Sequence, residues 1–171
     1  MASTTSSDID NDFFLQFTSP IGRIEVVSDG ASITGLTIEH GGALPRDNRP
    51  PLSNPVLAQA QTQLAEYFAG TRKDFALPLQ LTGTLFQQEI WTQLQRLPWG
   101  IVTSYGELGA TTGRPAAGRA VGGAVGANPI PLLVPCHRVL ASNARITGYS
   151  GGEGIPTKVW LLEHEDIAYR S

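Results

Sequence analysis

The sequence predicts an α/β (α+β) fold: a small N-terminal antiparallel-sheet domain with a helix, followed by a mainly helical C-terminal domain that contains a helix-turn-helix and the chain's one cysteine. Three observations predict it. Residues 13–39 hold three short apolar runs separated by turn residues, the pattern of a β-meander. Residues 54–70 repeat apolar side chains at helical spacing between an Asn-Pro start and a glycine stop. From residue 84 onward, two Thr/Ser-x-x-Gln/Glu boxes each open a helical run. The corresponding division is a disordered tail over 1–11, an α/β scaffold over 12–82 and a second domain over 83–171.

Taken in order, residues 13–17, 23–28 and 31–39 are the expected strands. Ser19-Pro20-Ile21-Gly22 turns the chain between the first two, and the hairpin dipeptide Asp29-Gly30 joins the last two. Residues 40–53, rich in proline and glycine, form a loop. Asn54 caps a helix with Pro55 at its first position, Val56, Leu57, Ala60, Leu64 and Phe68 share a face, and Gly70 closes it. Phe75, Leu77, Leu79 and Leu81 alternate, so a further strand is expected there. Thr84 and Gln87 open the next helix, which ends near Pro98-Trp99-Gly100. Ser104 and Glu107 open a short one that runs to about Thr112, and Gly113-Arg114-Pro115 breaks it. A third helix is expected over 115–126, an extended run over 128–140, a flexible loop over 149–152 and a last helix from Pro156 through Glu165.

The chain has 171 residues, 41% of them apolar, enough to bury a core. No apolar run approaches a membrane span, so no membrane partner is expected. The first residues lack the basic and apolar segments of a secretory signal. With one cysteine no internal disulfide is possible, so a reducing cytoplasmic location is the expectation. The net charge of −3 is unevenly spread. Between residues 101 and 160 five bases (Arg114, Arg119, Arg138, Arg145, Lys158) face two acids (Glu107, Glu153). A local basic face of this kind suits a polyanion even on an acidic protein.

That basic segment carries the cysteine, in Val134-Pro135-Cys136-His137-Arg138-Val139. A thiol emerging from apolar residues beside an imidazole and a guanidinium reads as an activated nucleophile. The competing reading is a buried structural cysteine. Adjacent residues on an extended chain point apart, so His137 would reach the thiol only through a water or a local twist. Its other nitrogen needs an acceptor: Glu165 is the candidate and Glu163 the competitor. The helix over 115–126 is built from Ala116, Ala117, Gly118, Ala120, Gly122, Gly123 and Ala124, with Arg119 its one long side chain. Close packing on the core explains that smallness, and so does close approach to a narrow nucleic-acid groove. Tyr105 reads either as a half-buried core residue or as a contact at a DNA-facing turn. Asn128 fixes a turn before the cysteine, and Tyr149, Ser150 and Gly151 supply a loop able to cover a pocket.

Together these residues resemble the O6-alkylguanine-DNA alkyltransferase family. The resemblance rests on Pro135-Cys136-His137-Arg138-Val139, Ser104-Tyr105-Gly106-Glu107, Arg119-Ala120-Val121-Gly122, Asn128-Pro129, Gly148-Tyr149-Ser150-Gly151-Gly152 and the stretch from Lys158 through Glu165. Ordered motifs across roughly 84–166 are far more specific than any one alone. The resemblance implies DNA repair by irreversible transfer of an alkyl group from O6 of guanine, or O4 of thymine, to Cys136. It also implies a helix-turn-helix in the minor groove of double-stranded DNA and a flipped nucleotide. His137 would draw off the thiol proton through a water, Glu165 would orient the imidazole, and Asn128 would buttress the turn. Arg119 would fill the gap left by the base, with Ala120 and Gly122 on the same helix at the groove. Tyr105 would crowd the phosphate and donate to the departing guanine. The carbonyls of Val134 and Cys136 would read the exocyclic amine, Tyr149, Ser150 and Gly151 would border the pocket, Arg138 would sit on the DNA side and Lys158 at the pocket mouth. A monomer, cooperative on DNA, is expected. Some relatives hold a structural zinc through N-terminal cysteines, which this chain lacks, so neither metal nor cofactor is expected. Gly126 stands where the family can carry a basic residue, which implies weaker DNA affinity. Two other readings compete. One is a lesion sensor that flips alkylguanine without repair, against which Cys136 counts. The other is a Cys-His hydrolase, for which no oxyanion-hole motif is evident.

Overall fold

Alternating apolar side chains and the Asp29-Gly30 turn fold residues 13–38 into the expected meander. Its strands are β1 (Phe13–Phe17), β2 (Ile24–Ser28) and β3 (Ile33–Ile38), in the order β1-β2-β3, all antiparallel. The computed structural model describes residues 12–114 and 116–171, so the tail expected over 1–11 lies outside the described residues. β2 is buried along its whole length, with α1 (Pro55–Phe68) on one face. Asn54 caps α1 by accepting the Leu57 N–H at 2.9 Å, and Val56, Leu57, Ala60, Leu64 and Tyr67 carry the helix's buried face. The 40–53 loop is fastened by Arg46, whose guanidinium donates to the fully buried Glu25 at 2.8 Å and to Asp12 at 2.7 Å.

The strand expected over 75–81 does not form. Backbone pairing there is a single parallel bridge, Ile33 to Leu79, with Ile33 N–H on the Pro78 carbonyl and Gln80 N–H on that of Ile33. Pro78 has no N–H to extend the ladder, so the segment lies against the sheet edge without joining it.

The second half begins with α2 (Leu85–Gln95), whose capping box Thr84–Gln87 is made in both directions. β4 (Thr103–Ser104) leads directly into α3 (Tyr105–Thr111), capped reciprocally by Ser104 and Glu107. A tight turn separates α3 from α4 (Gly118–Gly126), which starts later than the sequence suggests. Its N-cap, Ala117, is outside the helical conformation (φ −94°, ψ 37°) and supplies no side-chain acceptor to the first turn. Trp91 of α2 is fully packed and its indole N–H donates to the Ala124 carbonyl at 2.8 Å, locking α4 onto α2.

The extended run expected over 128–140 is instead a compact series of turns. Leu132 takes a left-handed conformation (φ 73°), Cys136–Arg138 form one 3-10 turn, and only β5 (Val139–Leu140) is a strand, parallel to β4. The final helix α5 (Ile155–His164) leaves Glu165 as its C-cap. Both halves contribute to one hydrophobic core, from Ile24 and Leu57 to Trp91, Val121, Cys136 and Leu161. No helix among the described residues is long and apolar enough to cross a membrane.

The α3–α4 turn depends on one close approach. A Cβ placed on Gly109 would stand 2.5 Å from the Arg114 carbonyl oxygen, so this position admits only hydrogen. Gly109→Ala is expected to cost about 1–3 kcal/mol through that overlap. Urea unfolding should show a lower midpoint with an unchanged slope; wild-type stability would refute the close contact.

Candidate active site

Cys136 begins the 3-10 turn and is buried, 4% exposed, at the inner end of a cavity of about 490 Å³. That volume is within the range of small-molecule sites. The cavity opens between α4 and the loop over 147–150, and its wall combines Gly118, Gly122 and Gly126 with Tyr105, Tyr149 and Lys158. The three glycines recur every four residues and so share one helix face. A Cβ at any of them would meet nothing within 4 Å, so packing within the protein does not demand glycine there. Val121, Ala124 and Val125 are the residues of α4 that pack inward.

Behind the thiol lies a buried polar cluster centred on Glu165. Its Oε2 accepts from Tyr67 Oη at 2.6 Å, His137 Nε2 at 2.5 Å and Arg138 Nη2 at 3.1 Å. Its Oε1 accepts from Arg138 Nε at 2.7 Å and from the Gly100 N–H at 3.3 Å. Burial would raise this carboxyl, but the hydrogen bonds it accepts from His137 and Arg138, together with the Arg138 charge, outweigh that and hold the group well below the ordinary carboxylate range. Burial pushes the His137 imidazole down, against the pull of Glu165, so the ring rests neutral. A neutral ring that donates from Nε2 carries its lone pair on Nδ1. That nitrogen is buried and has no hydrogen-bond partner among the described residues.

The cysteine itself differs from the sequence expectation. Burial pushes its thiol up, and the lowering influences of Asn128, Lys158 and Tyr149 do not reverse this. The resting sulfur is therefore a thiol, not a thiolate. Arg138 does not activate it, because its guanidinium is taken up by Glu165 and by the Leu97 carbonyl at 2.6 Å. Arg138 is only 4% exposed, so its assignment to the DNA side is also corrected: it is a buried partner of the carboxylate. Glu163 drops out as the imidazole's acceptor, since it is exposed and accepts from Tyr169 Oη at 2.8 Å.

Asn128 bridges the turn, donating to the Val134 carbonyl at 2.7 Å and accepting the Ile130 N–H at 2.9 Å. The Val134 carbonyl also accepts the Cys136 N–H at 2.8 Å, so both of its lone pairs are engaged. Val134 is fully buried and is not free to read a base, which corrects its expected role. Lys158 is buried rather than at the mouth. Its ammonium donates to the carbonyls of Val139 at 2.6 Å and Gly148 at 3.1 Å, and burial pushes it down to about 8. Tyr105 sits in the first turn of α3, where its hydroxyl accepts from Thr147 Oγ1 at 3.1 Å and keeps its own proton to donate.

The 149–152 loop is tethered at two points: Ser150 Oγ donates to the Gly126 carbonyl at 3.1 Å, and the His40 ring hydrogen-bonds the Gly152 carbonyl at 3.0 Å. Tyr149 turns its hydroxyl inward toward the sulfur, close enough to influence the thiol's ionisation. Gly151 borders an adjoining groove with Asn128 and Ser150. Arg119 and Ala120 are exposed on α4 outside the cavity wall. The residue that sequence reasoning missed is Tyr67. It lies 98 residues from Glu165, and the helical spacing singles out its neighbour Phe68, whereas Tyr67 is the residue that is buried.

Comparison with known proteins covers both halves of the chain. The family profile for the 6-O-methylguanine DNA methyltransferase DNA binding domain matches residues 85–167, and that for the ribonuclease-like domain matches residues 9–81. The constitutive methylated-DNA–protein-cysteine methyltransferase of Bacillus subtilis is 40% identical over 156 residues, 89% of this chain and 94% of the relative. The methylated-DNA–protein-cysteine methyltransferase of Haemophilus influenzae is 38% identical over 159 residues, 92% and 88% of the two chains. The solved structure of Mycobacterium tuberculosis O6-methylguanine methyltransferase matches with a TM-score of 0.79 at 38% identity, covering 94% of this chain and 96% of that one. M. tuberculosis OGT in complex with DNA matches with the same score at 41% identity, covering 90% and 92%.

Glu165→Gln tests the cluster. It leaves Arg138 buried without its counter-charge, and the expected loss at neutral pH is about 3–5 kcal/mol. The pH dependence has a definite sign. A carboxyl held low in the fold contributes stability that is complete above its unfolded value of about 4.3 and is lost as pH falls toward its folded value. Urea unfolding between pH 7 and pH 3 should therefore show a smaller acid loss in the variant than in the wild type. Parallel acid profiles would contradict the assignment.

Proposed function

Because the chain belongs to the 6-O-methylguanine DNA methyltransferase family, we propose that it repairs DNA by taking a methyl group from O6 of guanine onto Cys136. The observation that carries this reading is the cavity lined by Cys136, walled on the α4 side by three glycines and Val125 and backed by the His137–Glu165 pair.

O6 lies inside an intact duplex, so the damaged nucleotide must leave the stack, at a cost of a few kcal/mol. The glycine face of α4 lets a nucleic-acid backbone come close to the cavity mouth. Arg119, exposed on the same helix, enters the space the base vacates. In the cavity the alkyl carbon meets a neutral thiol. His137 Nδ1 takes the thiol proton through a bridging water, and Glu165 stabilises the imidazolium that results. The sulfur lone pair forms the S–C bond as the C–O6 bond breaks, and its electrons pass to the guanine ring. Tyr105 gives the departing base a proton, with Thr147 holding its oxygen. The imidazolium then gives up its proton and the Tyr105 phenolate regains one through solvent, so that overall one proton moves from sulfur to guanine and one methyl group moves the other way.

The thioether has no leaving route here, so each molecule acts once. O4 of thymine presents the same alkyl–oxygen bond and is the second substrate of this reading. The protein acts as a monomer on double-stranded DNA, cooperatively where sites adjoin, and in the reducing cytoplasm that preserves its thiol. The boundary near residue 82 divides a scaffold from the unit that binds DNA and transfers the alkyl group.

Incubation with a duplex carrying O6-methylguanine should add one methyl mass to the tryptic peptide containing Cys136, at no more than one per molecule. Cys136→Ala should lose transfer and keep duplex binding; transfer in that variant, or label elsewhere, rules the cysteine out. Arg119→Ala should slow repair of duplex about tenfold, equivalent to about 1.4 kcal/mol. It should leave reaction with a free O6-alkylguanine base unchanged, because a free base needs no extrusion. Equal loss on both substrates would remove the role assigned to Arg119.

A further inference from the structure

The Glu165 oxygen that faces His137 is shared with a residue of the other half of the chain. Tyr67, on α1, reaches across to donate its hydroxyl to that same oxygen at 2.6 Å. Tyr67 is 1% exposed, and its ring is fixed by edge contacts with Phe68, Trp99 and His164, centroids 5.3, 5.3 and 5.1 Å away. The His164 ring also hydrogen-bonds the Tyr67 carbonyl at 2.7 Å. Such a phenol cannot turn away from the carboxylate without breaking its aromatic packing. Burial and the neighbouring Glu165 push its ionisation up, so the hydroxyl stays a donor at every working pH.

We propose that Tyr67 is a positioning residue for alkyl transfer: by holding Glu165 Oε2 and drawing on its charge, it sets how tightly His137 keeps a proton. This rests on the reading of Cys136 as the alkyl acceptor and gives the N-terminal half a part in the chemistry. The physical step is short. Oε2 distributes its negative charge over three donors, from Tyr67, His137 and Arg138. Without the phenol, more of that charge faces the imidazole, and the ring holds a proton to higher pH. A ring that is already protonated cannot accept the thiol's proton. The titratable groups that act on His137 are Glu165, Arg138 and, from α5, Lys158. Tyr67→Phe leaves all of them in place.

The test is the pH profile of methyl transfer from O6-methylguanine duplex for the wild type and Tyr67→Phe, alongside the ¹⁵N NMR titration of His137. The expected result is an acid limb displaced upward by about one pH unit, hence about tenfold slower transfer on that limb, with the imidazole titration displaced the same way. In a Glu165→Gln background, Tyr67→Phe should move neither. A purely structural tyrosine would lower the melting temperature and leave the limb where it is. An unmoved or downward limb and titration overturn the inference. In the wild type, the Tyr67 hydroxyl proton resonance should shift as His137 titrates, and its indifference overturns the inference even if the variant folds poorly. Failure of the wild type to methylate Cys136 would instead remove the proposed function, while the NMR titration still judges Tyr67.

Discussion

One buried carboxylate ties the molecule together. Glu165 receives hydrogen bonds from α1 through Tyr67, from the segment after α2 through the Gly100 N–H, and from the cysteine turn through His137 and Arg138. It caps the last helix, so a fourth part of the chain presents it. A carboxylate in the interior is costly unless its oxygens are filled with donors. Here both are filled, and the donors come from segments far apart in sequence. The same bonds that make the charge tolerable fix where the imidazole stands and hold the N-terminal half against the C-terminal one. On the proposed reading, stability and reactivity therefore depend on one set of contacts.

That arrangement leaves the opposite side of the cysteine free. The cavity meets the sulfur from the side of α4 and the 147–150 loop, whereas the polar cluster lies behind it. α4 serves two surfaces at once. Its Val121, Ala124 and Val125 bury against the core, with the Trp91 indole fixing its last turn, while its glycines present bare backbone to the cavity. The two explanations available for so small a helix thus apply to different faces. Ala124 packs inward; the three cavity glycines, with open space around them, do not serve packing.

Local chemistry is what the sequence displays well. Both capping boxes, the Asn-Pro helix start and the Asp-Gly hairpin form as read, because each depends on residues within four positions of one another. Errors arise where the outcome depends on distant groups. The alternation at 75–81 promises a strand, but Pro78 and the lack of a second partner reduce it to a bridge. The apolar run before Cys136 reads as extended, yet Asn128 gathers it into turns by bonding across six residues. Arg138 beside a cysteine suggests an activating charge; only the fold reveals that Glu165 and the Leu97 carbonyl absorb it. Choosing Glu165 over Glu163 needs the helix end, where one carboxylate turns inward and its neighbour outward. Tyr67 carries no local signal at all, since its partner is 98 residues away.

Burial of the cysteine has two consequences that pull in opposite directions. It raises the thiol's ionisation, which removes the intrinsically strong nucleophile at rest. It also excludes water from the place where charge must develop, which strengthens the influence of the imidazole, the ammonium and the tyrosine nearby. A resting thiolate would be exposed to any small electrophile or oxidant that entered the cavity. On the proposed reading, a thiol that ionises only as its proton passes to His137 is inert until an electrophilic carbon is seated against it. For a protein that spends its one thiol on a single event, on the reading advanced above, that restraint has a clear physical use. The neutral imidazole, its unpartnered Nδ1 and the carboxylate behind it store the capacity for deprotonation without exercising it. Reactivity then depends on what fills the cavity, and not on the ionisation of the cysteine alone.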